Sequence, residues 1–161
     1  MKKLIVLTFF LAIVTLCGAV AQTVQVVLMH VVPDGTEGVA SLSEFIVNGC
    51  LDALFAGGLI GTNARPVDAP ANRFAVYRPE AALEESYVSH VLLILAEYPE
   101  PGSSGAGLPD CSFRLVTVRG NDTLAQGNLA AFIPESASAL AVEKACSEMG
   151  AAMVRSCAGA W

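Results

Sequence analysis

The chain has 161 residues, 54% of them hydrophobic and 15% charged, with a formal net charge of −6. Such a length suits one domain with a sizeable core. Nine basic residues against fifteen acidic ones exclude the basic patch that nucleic acid or an anionic membrane surface requires.

Residues 1–21 read as a secretory signal peptide cleaved after Ala21. Met1-Lys2-Lys3 is a basic start, residues 4–16 form an apolar run, and Ala19-Val20-Ala21 places small residues at a cleavage site. The run falls short of the roughly 20 residues of a spanning helix, and a retained anchor is the alternative. No later segment of comparable length is free of polar interruption, so no transmembrane segment is expected in the mature chain. Cys17 raises lipidation, since bacterial lipoproteins are acylated on a cysteine at the end of such a run. Leu16 stands where a small residue is required and favours ordinary cleavage. The mature chain, residues 22–161, is then a single domain, more acidic still because Lys2 and Lys3 leave with the peptide.

Residues 23–32, a β-branched run closed by Pro33-Asp34-Gly35, predict a central strand. Ser41-Leu42-Ser43-Glu44 matches a capping box, with Ser41 as cap and Glu44 reaching back. Leu42, Phe45, Ile46, Val47, Leu51, Leu54 and Phe55 follow at the spacing of a helix packed on a sheet, and Gly57-Gly58 supplies a left-handed stop. Residues 59–65 predict a short strand weakened by Gly61, Asn63 and the following Pro66. Residues 66–72 read as loop, 73–78 as an edge strand or more loop, and 79–85 as a short helix with Pro79 in its first turn.

Residues 87–95, apolar almost without interruption, predict a strand covered on both faces. Residues 99–107, rich in proline, glycine and serine, predict a solvated connector, because they lack the Gly-Lys-Ser/Thr ending of a phosphate loop. Residues 111–119 and 123–127 flank Gly120-Asn121-Asp122 as a hairpin. After Pro134, residues 136–156 predict a second long helix with Val142, Cys146, Met149 and Met153 along one stripe that Cys157 continues. Together these elements predict an α/β domain, a single mixed sheet of about four to five strands with two long helices packed on it.

Three places in this order carry a resemblance. They are the strand at 24–32 leading into the helix at 41–55 and its Gly-Gly stop, Glu84-Glu85-Ser86-Tyr87-Val88 leading into Val91-Leu92-Leu93-Ile94-Leu95, and the hairpin from Phe113 through Gly120-Asn121-Asp122 to Gly127. The chain resembles the small envelope domain shared by the curli-secretion channel lipoprotein, the lipoprotein activators of penicillin-binding proteins and the amino-terminal domain of TolB. It departs in lacking the pair of long amphipathic hairpins from which the secretion-channel members build a membrane barrel. The resemblance implies an exported protein of the bacterial periplasm or outer envelope, non-enzymatic, serving as a protein-binding or assembly module. Its partner would be another envelope protein or a second copy of itself, and no cofactor is implied.

Cys50, Cys111, Cys146 and Cys157 remain after cleavage, an even count that in an exported chain suggests two disulfides. If Cys146 and Cys157 share a helix they lie roughly 16 Å apart, too far for a bridge, so each would reach Cys50 or Cys111. Four reduced, buried cysteines are the alternative. His30 and His90 sit in the two central strands and would approach one another if those strands were neighbours, yet further zinc ligands at suitable spacing are not evident. Asp34 and Glu37 lie in the loop after the first strand, at the end of a parallel sheet where ligands gather. They make a small ligand-binding protein or hydrolase the second functional reading, and a turn with solvated acids the plainer one.

Overall fold

The computed structural model describes residues 22–34, 39–68, 74, 87–100, 108–130 and 137–161. The expected signal peptide at 1–21, the expected short helix at 79–85 and most of the expected connector at 99–107 lie outside the described residues. Strand β1 (Thr23–Val31) is the axis of the sheet. Strands β2 (Ile60–Asn63) and β3 (Val67–Asp68) run parallel to it along one side, and β4 (His90–Glu97) runs parallel along the other. Strands β5 (Asp110–Thr117) and β6 (Thr123–Ala130) extend the sheet antiparallel, giving the order β2-β1-β4-β5-β6 with β3 beside β1. Helices α1 (Val39–Ala56) and α2 (Ala139–Ser156) complete the α/β domain.

Alternation along β1, β4 and β5 sends side chains into two separate cores. Val24, Val26, Leu28, Leu92, Ile94, Phe113 and Leu115 pack under both helices. Val27, Val91, Leu93 and Val116 pack on the opposite face with Val88 and Phe74. Burial on both faces is why these strands read as unbroken apolar runs rather than alternating ones. Arg114, on the second face, places its guanidinium 5.9 Å from the Phe74 ring centre, within range of a cation–π contact.

The two helices meet where both lack side chains. A Cβ added to Gly49 would collide with the Ser147 carbonyl, and one added to Gly150 with the Ile46 carbonyl. Backbone is thus packed on backbone at the crossing, and Cys50 ties it by donating its thiol hydrogen to the Gly150 carbonyl at 3.3 Å. Along the expected stripe of α2, Cys146, Met149 and Met153 are buried, as is the cap residue Cys157, whereas Val142 is only half-buried.

Two ends form as the sequence implies. Gly58 adopts φ 77°, and the N–H groups of Gly58 and Leu59 donate to Phe55 and Leu54 carbonyls at 3.0 Å each, a two-bond left-handed cap. Asn121 takes φ 54° in the β5–β6 turn. Other readings are corrected. Helix α1 begins at Val39, so Ser41 lies inside its first turn instead of capping it, and the Tyr98 hydroxyl donates to the Val39 carbonyl at 3.3 Å. Phe55 is 83% exposed, because Leu54 takes the inward position and the next residue is carried about 100° round the helix. Val67 and Asp68, read as loop, form β3, and β4 starts at His90 rather than at Tyr87. Helix α2 starts at Ala139, capped by Ser138, whose hydroxyl accepts from the Ala141 N–H at 3.3 Å.

Candidate functional site

The carboxyl end of β1 is where the sheet opens. The Ala64 N–H donates to the Val26 carbonyl at 2.9 Å, and the chain rejoins β1 when Val67 pairs with Met29. Between them Pro66 has no N–H to offer a ladder, so residues 64–66 stand off as a short wall. The opposite wall is the first half of α1, whose Ala40, Ser43, Glu44, Val47 and Asn48 recur at i, i+3, i+4, i+7 and i+8 on one face. The cavity between the walls has a volume of about 570 Å³, within the range of small-molecule sites.

A buried hydrogen-bond chain forms its floor. His30 Nδ1 lies 3.1 Å from Ser43 Oγ, Ser43 Oγ lies 3.0 Å from the Tyr98 hydroxyl, and that hydroxyl donates to the Val39 carbonyl. If the Tyr98 proton goes to Val39, Ser43 donates to Tyr98 and accepts from His30 Nδ1. Burial pushes the Tyr98 hydroxyl up to about 12, against the opposing effect of its bond to Ser43, so it keeps its proton at neutral pH. Ser43 is only 1% exposed. Above this floor the rim is exposed and polar, with Glu44 and Asn48 on the helix wall and Asn63 and Arg65 on the other.

Of the described residues singled out in the sequence, His30 lines the cleft and the others fall elsewhere. Asp34 is exposed in a turn and does not line the cavity, and Glu37 lies outside the described residues. His30 and His90 do not approach. Although β1 and β4 are neighbours, the register sets His90 against Val24 and His30 against Ala96, which separates the two by about six residues or roughly 20 Å of strand. His90 instead meets Trp161 edge-on, with ring centres 6.1 Å apart, and burial lowers its pKa. Among the described residues no group of three or more His, Cys, Asp or Glu side chains converges to hold a metal ion.

Among the described residues Cys50, Cys111, Cys146 and Cys157 are buried free thiols, and the two bridges suggested by their even number are not seen. Burial pushes Cys111 up to about 12 and Cys146 and Cys157 up to about 11, and drives Cys50 higher still. Protonated and enclosed, they act as small apolar side chains.

The site was legible only in part. Ser43 and Asn48 interrupt an otherwise apolar helix, and their spacing from Glu44 puts all three on one face, a signal available before folding. Arg65 and Asn63 carried none, since their place depends on where the chain leaves β1.

Fold and cleft together define a single-sheet α/β domain with helices on one face and a polar cleft at the carboxyl end of its parallel strands. Neither a protein-family model nor a curated protein matches the chain. Among solved structures it is similar to the lipoprotein GNA1162 of Neisseria meningitidis, at 17% identity and a TM-score of 0.53, over 86% of this chain and 99% of that one. It is also similar to PelC of Paraburkholderia phytofirmans, described as a dodecamer, at 18% identity and a TM-score of 0.49, over 84% and 86%. TolB of Acinetobacter baumannii matches at 15% identity and a TM-score of 0.47, over 86% of this chain and 29% of that one. The likeness is one of fold, at low identity.

Proposed function

We propose that this chain is an exported, non-enzymatic module of the cell envelope, in the periplasm or outer envelope, that works by binding another envelope protein or a second copy of itself. The observation that carries this reading is strand β6. It ends the sheet, and among the described residues it pairs with β5 alone. All eight of its residues are uncharged and none is proline, while Leu124, Gln126, Asn128 and Ala130 are exposed. Edge strands usually carry charge or proline to prevent pairing with another chain, so an undefended edge suits strand addition by a partner. The signal-like residues 1–21 and the fold-level likeness to a neisserial lipoprotein support export.

The hydrolase reading has a specific obstacle. It rests on the acids of the loop after β1, and Asp34 is exposed in a turn outside the cleft while Glu37 lies outside the described residues. Crosslinking in whole cells followed by capture of the chain tests the proposal. A defined envelope partner or self-adduct is expected with the parent, and its loss in a Gln126→Lys, Asn128→Lys variant of unchanged thermal midpoint. Recovery of the chain alone, or capture indifferent to β6, overturns it.

A further inference from the structure

The cleft at the end of β1 has opposite charges facing each other across it. Glu44 stands on the helix wall beside Asn48, Arg65 stands on the connector wall beside Asn63, and Glu44 and Arg65 are not paired with each other. We infer that this cleft binds a small organic zwitterion of the free amino-acid type, its carboxylate toward Arg65 and its ammonium toward Glu44. A planar guanidinium presents two parallel donors to a carboxylate, and a carboxylate is the natural partner of an ammonium. The amides of Asn48 and Asn63 both donate and accept, so either serves the ligand's remaining polar atoms.

Other ligand chemistries fit less well. A simple anion meets Glu44, a simple cation meets Arg65, and each leaves one rim charge facing a like charge. A sugar or flat aromatic compound would look for an aromatic platform, and among the described residues that line the cleft the His30 imidazole is the one aromatic ring. The floor cannot adapt by shifting, because Ser43 is held between His30 and Tyr98. Specificity therefore rests on the two walls, and the volume of about 570 Å³ admits an amino acid with ordered water.

This inference rests on reading the chain as a binding module, but its test is independent of any protein partner. The purified full chain is titrated calorimetrically at low ionic strength with each standard L-amino acid, then with the N-acetyl and C-amide forms of those that bind. Saturable binding of at least one amino acid is expected, weakened about 10-fold or more by blocking either terminus. Glu44→Gln is expected to weaken the free amino acid while leaving the N-acetyl form unaffected, and Arg65→Gln to weaken both. Since both residues are exposed, the variants should keep the parent's thermal midpoint. Because the blocked ligands are read on the unaltered chain, a variant that fails to fold does not rescue the idea. No binding at millimolar concentration, or equal binding of free and blocked forms, overturns it. A failed titration with intact partner capture removes only the ligand site, and lost capture with intact titration removes only the edge-strand reading.

Discussion

Along α1, residues 39–48 and residues 49–56 meet different surroundings. The first half faces the cleft, and its Ser43 is satisfied by a polar chain reaching β1 and the end of β4. The second half crosses α2 with Gly49 and Cys50 pressed against backbone. The same helix thus has one region where shape is everything and another where hydrogen-bond partners are. Steric error is costly in the first case because neighbouring backbone cannot move aside. In the second, losing a partner is costly because a buried polar atom is left unpaired.

The largest effect should come from adding a single methyl group at the crossing. Gly49→Ala and Gly150→Ala are each expected to lose about 2–3 kcal/mol net, although the same change in an open helix gains up to about 1 kcal/mol. Urea denaturation checks this, and parental stability in either variant would dissolve the contrast between the two halves. Ser43→Ala tests the polar half. It removes the hydrogen bonds Ser43 makes to the Tyr98 hydroxyl and to the His30 ring and is expected to cost about 1–3 kcal/mol. If it costs nothing, the floor of the cleft is not a strut.

A gentler test uses pH. The thiol pKa values are raised by folding, so the native state retains protons that the unfolded chain releases above its ordinary thiol value of 9.0. Stability is fully present below that pH and is lost as pH rises through the folded values of about 11 to 12. Denaturation measured at neutral pH and again above pH 9 should show the decline, with a shallower slope in Cys146→Ala. A flat profile would mean that the four thiols are wetter than their burial implies.

The sequence spoke clearly where chemistry is local. The β-branched and apolar runs at 23–32 and 87–95 named the two central strands, because strands buried on both faces must be apolar throughout. Gly58 and Asn121 were found because left-handed backbone favours those residue types. The stripe of Cys146, Met149 and Met153 followed from helical period alone. Elsewhere local reading erred for a tertiary reason. Ser41 looked like a cap, yet α1 begins two residues earlier, where Tyr98 bonds the Val39 carbonyl.

By itself, then, the order of residues determined most of which segments are strands and helices and which faces turn inward, since each depends on neighbours within a turn or two. Only the tertiary structure decided that His30 and His90 lie at opposite ends of adjacent strands, that two glycines meet where the helices cross, and that Arg65 faces Glu44 over a cleft. Those facts depend on register and on contacts between residues far apart in the chain, and side-chain periodicity carries no record of either.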